Sequence, residues 1–311
     1  MKCLVTGGAG FIGSNLVKLL LENNHEVTVL DNLSTGYKEN LAPFEGKIEF
    51  IEGDIRNISD IEKAIEGKDS VFHLAASVGN KKSIDEPLFD ANCNILGVIN
   101  VLESMRKYKV GNIVFSSSAG IFGEPQYQPV DEVHPCEPDS PYGSTKLGGE
   151  KLILSYMKMY DIRAVCLRYF NVYGVNQRFD AYGNVIPIFV SRALAGKDLT
   201  IFGDGEQTRD FICVSDIALA NLKAAEMENV RGTFNLGTGH SITINKLAES
   251  IKEIVNPDIK IIHGETRLGD VRHCTAKVER INNDMKLFPD SNVIEKLQEY
   301  CQWMKQDPLS K

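Results

Sequence analysis

The chain predicts an α/β fold, a doubly wound parallel sheet followed by a smaller C-terminal α/β domain, and three observations predict it. Short apolar runs alternate with amphipathic helical stretches through the first half, the pattern of a parallel sheet covered by helices on both faces. The first apolar run turns into a helix through closely spaced glycines. Beyond Gly174 the texture changes to short strands and turns such as Gly183-Asn184 and Gly203-Asp204-Gly205.

The elements follow in order. Lys2-Cys3-Leu4-Val5-Thr6 is rich in β-formers and enters Gly7-Gly8-Ala9-Gly10-Phe11-Ile12-Gly13. An apolar helical pattern follows (Phe11, Ile12, Leu16, Leu19, Leu20), and a second run, Glu26 to Leu30, ends in Asp31. Further strands are read at Ile48–Ile51, Ser70–Leu74, Asn112–Phe115 and Val165–Tyr169, with helices at 57–66, 83–107 and 143–160. Later helices fall at 185–195, 214–227, 243–255 and 291–304; the 214–239 portion, with Thr233–Leu236 as a strand, returns to the main sheet. The division expected is residues 1–172 plus 212–239 for the first domain and 173–211 plus 240–311 for the second. Asp54, Ala75-Ala76, Ser116 to Ser118 and Tyr169-Phe170-Asn171 all fall at strand ends, where parallel sheets bind ligands.

Composition narrows the class. With 311 residues, 43% hydrophobic and 24% charged, the chain can bury a sizeable core. A net charge of −8 and a pI of 5.4 argue against nucleic acid or an anionic membrane as partner. Seven cysteines are scattered without a CxxC pair, which favours free thiols in a reducing cytoplasm over disulfides or zinc. The six histidines form no HxH or HExxH pattern, so no metal site is expected. The glycines from Gly7 interrupt the first apolar run too early for a signal peptide. No run approaches the roughly 18 apolar residues of a membrane span. The expectation is a soluble, cytoplasmic protein.

Two stretches carry chemistry. In the first, Gly7 permits a sharp turn, Gly10 lets backbone approach a pyrophosphate, and Gly13 lets helix and strand pack closely. The helix start then offers unpaired N–H groups to phosphates. Asp31, eighteen residues past Gly13, is placed to accept the ribose hydroxyls. A carboxylate there repels a 2′-phosphate, so NAD is favoured over NADP. In the second, Tyr142 and Lys146 are four apart in Ser140-Pro141-Tyr142-Gly143-Ser144-Thr145-Lys146 and share a helix face. A neighbouring ammonium is expected to lower the tyrosine pKa and make it a general base.

With these residues in view, Gly7-x-x-Gly10-x-x-Gly13, Asp31, Asp54, Leu74-Ala75-Ala76, Asn94, Ser118 and Tyr142-x-x-x-Lys146 resemble the extended short-chain dehydrogenase/reductase family. The segments Leu167 to Gly174, Gly203-Asp204-Gly205, Arg209-Asp210-Phe211 and Arg267-x-Gly269-Asp270 look like nucleotide-sugar 4-epimerases of the UDP-galactose/UDP-N-acetylglucosamine type. The resemblance runs from residue 1 to about 285.

It implies a doubly wound Rossmann sheet with NAD as cofactor. Gly7, Gly10 and Gly13 would cradle the pyrophosphate, Asp31 and Asn32 the adenosine ribose, and Asp54 and Ile55 the adenine. Ala75, Asn94 and Lys146 would border the nicotinamide half, with Phe11, Ile12, Leu74, Ala76, Ser116, Tyr142 and Tyr169 also along the cofactor. Ser118 would hydrogen-bond the sugar 4-hydroxyl and Tyr142 take its proton. Asn171, Arg209 and Arg267 would hold the UDP diphosphate, Val185 and Phe202 flank the uracil, and Asp270 meet its ribose, with Gly79, Asn80 and Asn184 nearby. It also implies a homodimer through the helices near 90–106 and 145–159, and NAD that stays bound because net redox is zero.

Absences choose among relatives. The 4,6-dehydratases it resembles carry Thr-Asp-Glu at the Ser118 position, and UDP-glucuronate decarboxylases a glutamate in that turn. Here Ser118 is followed by Ala119-Gly120. Cys274 stands where a bulky tyrosine excludes 2-acetamido sugars in the family, so UDP-GlcNAc and UDP-GalNAc are expected substrates alongside UDP-Glc and UDP-Gal. Asn80 stands where relatives often carry valine. Two other readings stay open: an epimerase of another sugar such as UDP-glucuronate, and a non-catalytic NAD-dependent sensor.

Overall fold

The structure, a computed structural model, describes residues 1–179, 184–266, 271–307 and 309. Its first six strands are β1 (Lys2–Thr6), β2 (Glu26–Asp31), β3 (Ile48–Glu52), β4 (Ser70–His73), β5 (Asn112–Ser118) and β6 (Arg163–Tyr169). They form one sheet. Three strands that follow, β7 (Asn171–Tyr173), β8 (Leu199–Phe202) and β9 (Thr208–Cys213), lie elsewhere, and β10 (Gly232–Leu236) returns to complete the sheet. Its order is β10-β6-β5-β4-β1-β2-β3, and every pair is parallel. Strand order therefore reverses between β1 and β4, which opens a crevice beyond their carboxyl ends.

Both faces of this sheet are covered. Along β1, Cys3 and Val5 pack into one apolar core and Leu4 into another, the two-residue alternation of a strand buried on both sides. The first core is closed by α1 (Phe11–Glu22) and by the helix Val214–Glu226. The second is closed by α2 (Ile58–Ile65) and the helices that follow β4 and β5.

The long helix expected over 83–107 is instead broken. It runs as α3 (Asn80–Asp85), α4 (Pro87–Ala91), a π turn over Asn92–Leu96, and α5 (Gly97–Tyr108). The break falls at Glu86 (φ −131°, ψ 59°), because Pro87 lacks an N–H and excludes the helical conformation from the residue before it. The strand β5 also runs further than its apolar run, pairing Ser116, Ser117 and Ser118 with Leu167, Arg168 and Tyr169. All seven cysteines are free.

The helix α6 (Pro141–Met159) lies close on β5. A Cβ on Gly149 would meet the Phe115 ring at 3.0 Å, and one on Gly143 would overlap the Gly120 carbonyl. Below these contacts Glu150 accepts from Ser117 Oγ (2.9 Å) and from Arg168 Nε (3.0 Å) and Nη2 (2.7 Å). Both side chains of the ion pair are buried.

Two of the remaining helices, α8 (Val214–Glu226) and α10 (Glu279–Met285), pack into the first core of the main sheet. The others form a second layer with β7, β8 and β9: α7 (Val185–Leu194), β11 (Ser241–Thr243), α9 (Ile244–Val255), β12 (Ile261–Gly264), β13 (His273–Cys274) and α11 (Val293–Gln306). Here β11, β9 and β13 form one small sheet with β7 paired to β9, and β12 pairs β8. A separate apolar core of Phe189, Val190, Leu247, Ile251, Leu297 and Tyr300 joins α7, α9 and α11. Among the described residues, no helix is long and apolar enough to cross a membrane.

Glu150→Ala should destabilise the fold by about 3–5 kcal/mol, because it strands the buried Arg168 charge. Urea titration of both proteins measures this, and a loss under about 1 kcal/mol would contradict it.

Candidate active site

The glycine loop takes the shape its spacing requires. Gly7 has φ +72°, and a Cβ there would lie 2.7 Å from the Ala75 amide nitrogen. A Cβ on Gly13 would overlap the Gly7 carbonyl oxygen. Gly10 caps α1, with no side chain bonded to the cap and no acidic residue in the first turn. The open N–H groups there fit a diphosphate. Asp31 is buried and accepts from the Ala9 amide (2.9 Å) and the Leu33 amide (2.8 Å); burial pushes its carboxyl up, against those two bonds. Phe11 and Ile12 are half-buried at the start of α1. The loop thus fits a dinucleotide, with Asp31 at the tip of the neighbouring strand.

On the far side of that strand, Asp54 is held by a bidentate contact from Arg56 (2.9 and 2.7 Å) and by Asn32 Nδ2 (2.8 Å). The Arg56 bond brings its carboxyl down to about 2. Ile55 beside it is buried. Leu74, Ala75 and Ala76 leave β4 partly exposed along the crevice. Asn94 is buried, its amide bonded to both the N–H and the carbonyl of Ser77 (3.0 Å each) and to Asp90 (3.2 Å). It braces the loop after β4.

Ser118 ends β5, and its Oγ accepts from the Gly120 amide at 3.1 Å. Tyr142 enters from the first turn of α6, whose cap Ser140 accepts from the Gly143 amide. Tyr142 N donates to Ser83 Oγ (3.0 Å), and Ser140 Oγ donates to Asn80 Oδ1 (3.1 Å). Asn80, set after Gly79 (φ +109°), therefore helps fix the start of the helix. Lys146 is buried one turn on, its ammonium 4.8 Å from the Phe115 ring centre.

The expected lowering of the tyrosine is not what the structure has. Burial pushes the Tyr142 hydroxyl up to about 12; the Ser118 hydrogen bond opposes this and the buried Asp90 adds to it. The same burial brings Lys146 down to about 8, with Asp90 resisting. Desolvation disfavours the charged form of each, and it is the largest influence on both. Ser118 is the group that pulls the tyrosine down.

Sequence reasoning missed Asp90, Thr145 and Ser83. Asp90 lies 0% exposed under the Tyr142–Lys146 face, accepting from Thr145 Oγ1. No spacing marks it, since those partners are 55 residues apart. Ser116 and Tyr169 lie on the adjacent interior strands β5 and β6; Tyr169 is buried and pairs its hydroxyl with Asn221 on α8.

The second layer presents its own groups to the crevice end. Asn171 Nδ2 donates to the Asp210 carbonyl (3.1 Å), and Arg209 Nη1 to that of Thr208 (2.9 Å). Asn184 caps α7, followed by half-buried Val185. A pocket of about 180 Å³ lies beside Phe202, lined also by Asp204, Gln207, Thr266 and Arg272. Arg272 grips Asp204 with two bonds of 2.7 and 2.8 Å. Cys274 lies directly opposite Arg209 in the β13–β9 pairing. It packs with Ile121, Phe122 and Phe170, beside the turn that follows Ser118, and burial pushes its thiol up to about 12. Arg267 and Asp270 lie outside the described residues.

The chain matches the profile of the NAD dependent epimerase/dehydratase family over residues 3–237. It is similar to a UDP-N-acetylglucosamine 4-epimerase from Methanobrevibacter ruminantium M1 solved with UDP-N-acetylmuramic acid, at 37% identity and TM-score 0.94, covering 98% of each chain. The UDP-glucose 4-epimerase of Thermotoga maritima, solved with UDP-glucose, is also 37% identical, with TM-score 0.93 over 98% of this chain and 99% of that one. A UDP-glucose 4-epimerase from Thermus thermophilus, solved with NAD, is 34% identical, with TM-score 0.89 over 97% and 98%.

His73 carries a prediction. It is buried, bonded through Nδ1 to Thr6 Oγ1 (2.8 Å), and burial brings it down to about 3. It is neutral when folded but takes a proton when unfolded below about 6.5. The fold should therefore keep this contribution above about pH 6.5 and lose it as pH falls toward about 3. Chemical denaturation at about pH 7 and about pH 4.5, on either side of the unfolded value, should show a shallower acid loss in His73→Asn; equal losses would contradict this.

Proposed function

The chain belongs to the NAD dependent epimerase/dehydratase family, and from that premise we propose that it inverts C4 of UDP-hexoses, both N-acetylated and plain. It is an NAD-dependent nucleotide-sugar 4-epimerase; the sugar and the residue roles are the proposal. The observation that carries it is the grouping of Ser118, Tyr142 and buried Lys146 at one end of β5, with no acid in the turn Ala119-Gly120.

NAD, when bound, supplies a hydride acceptor for C4 and returns the hydride. The chain's own residues do the rest. Gly7, Gly10 and Gly13 leave room for the diphosphate, and Asp31 and Asn32 take the adenosine ribose. Ser118 hydrogen-bonds the 4-hydroxyl and Tyr142 removes its proton. For this Tyr142 must first be the phenolate, the form that the Lys146 ammonium stabilises; taking the proton returns it to the phenol, and burial brings Lys146 down to about 8, within reach of proton exchange near neutral pH. The ketone formed at C4 turns over in the site, and Tyr142 gives the proton back on the other face. Asn171 and Arg209 hold the UDP diphosphate, an arginine fork matching its oxygens, with Arg267 and Asp270 assigned from the family resemblance. Val185 and Phe202 flank the uracil.

In this reading residues 1–172 with 212–239 bind NAD, and 173–211 with 240–311 bind the nucleotide sugar. The membership of β1 to β6 and β10 in one sheet supports it. A homodimer is part of it, formed through α5 and α6, where Leu96, Met159 and Tyr160 stand exposed.

Product chromatography with UDP-GlcNAc, UDP-Glc and UDP-glucuronate tests the substrate; conversion of the uronate alone would overturn it. Tyr142→Phe should lower kcat by about 10²–10⁴ while bound NAD is retained, and undiminished turnover would refute the mechanism. Cys274→Tyr should abolish turnover of the acetamido sugars and spare UDP-Glc. Full activity on UDP-GlcNAc in that variant would rule out the gate.

A further inference from the structure

The segment Val175–Arg178, just past Gly174, is bonded on one side to the cofactor helix and on the other to α11. Toward the cofactor side, Asn15 Nδ2 on α1 donates to the Val175 carbonyl (2.9 Å) and Asn176 Nδ2 donates to Ser14 Oγ (2.9 Å). Arg178 Nη1 donates to Asn40 Oδ1 (2.8 Å), and Asn40 Nδ2 donates to the Ala9 carbonyl (2.9 Å). Ala9 in turn donates its amide to Asp31. Three bonds thus connect Arg178 to the carboxylate assigned to the ribose.

Toward the other side, Tyr300 Oη on α11 donates to the Gln177 carbonyl (2.6 Å). Asp307, one residue past that helix, takes Arg178 in a fork of 2.8 and 3.1 Å. The guanidinium lies between two rings, 4.5 Å from the Tyr37 centre and 5.5 Å from the Trp303 centre. Both charged side chains are more than nine-tenths buried. A buried ion pair gives little net stability against apolar residues of the same shape, but its fixed fork imposes one geometry on whatever it joins.

We propose that Val175–Arg178 is a strap that retains NAD: anchored by Tyr300 and Asp307, it holds α1 and the 32–40 loop in place over the cofactor. Arg178 and Asp307 are positioning residues, acting through Asn40 and Ala9. The cofactor then leaves only when the strap detaches from the C-terminal helix. An enzyme whose NAD is regenerated at each turnover benefits from a slow exit and loses nothing by it. This rests on the reading of NAD as a resident group.

The test uses the full chain loaded with NAD, passed through gel filtration, and assayed over time for protein-bound NAD after acid release. Arg178→Met/Asp307→Leu removes both charges together, so no unpaired charge is left buried. Tyr300→Phe removes only the hydroxyl and serves as a milder second variant. The double variant should lose NAD at least tenfold faster, and Tyr300→Phe severalfold faster. UDP affinity by titration should stay within twofold of the parent. NAD half-lives unchanged in both variants would overturn the strap, as would UDP affinity falling in parallel with NAD, which marks general loosening. Wild-type protein that keeps no NAD would overturn the resident-cofactor reading itself; retention in parent and variants alike would overturn only the strap.

Discussion

The site depends on how closely one helix lies on one strand. Tyr142 and Lys146 face Ser118 because α6 packs against β5 with glycine at Gly143 and Gly149, where any side chain would collide with Gly120 or Phe115. The Glu150 carboxylate, next on the same face, then locks the helix to Ser117 of β5 and Arg168 of β6. Residues 142, 146 and 150 are each four apart, so a single helical stripe carries the phenol, the ammonium and the anchor. Shifting that helix by one turn would leave Ser118 with no phenol beside it.

The electrostatics of the pair follow from the same closeness. Packing that excludes water raises the phenol and lowers the ammonium, and the buried Asp90 beneath opposes the second of these shifts while adding to the first. The reactive proton is thus governed by what covers the pair as well as by what charges it. Ser118 eases the tyrosine toward ionisation, and in the proposed reaction it would address the substrate hydroxyl as well.

A second dependence runs between the two layers. The segment after Gly174 is bonded to α1 and the 32–40 loop on one side and to α11 on the other. The segment from Gln128 to Val130 meets residues 273–277 in a similar way, with Val130 bridged to Ala276 and Gln128 bonded to both His273 and Thr275. These two seams bring Cys274 against the turn beyond Ser118 and Arg209 alongside it.

Much of this was legible in the residues alone. Alternating apolar runs specify a parallel sheet because strands buried on both faces need them. The glycines at 7, 10 and 13 specify the loop because only they fit its turn and its contacts. The return of Thr233–Leu236 to the sheet was legible too. The break at Glu86 was not read from Pro87, although that proline states it locally. What the sequence could not hold was long-range desolvation. A four-residue spacing tells that Tyr142 and Lys146 are neighbours, but their proton affinities depend on Phe115, Asp90 and Ser118, which come from other segments. The same holds for Arg178, an ordinary arginine in the sequence until Tyr37, Asn40, Trp303 and Asp307 converge on it. Local patterns determine elements and turns because those are satisfied within a few residues. Burial and charge compensation are sums over the whole fold, so only the tertiary structure decides them.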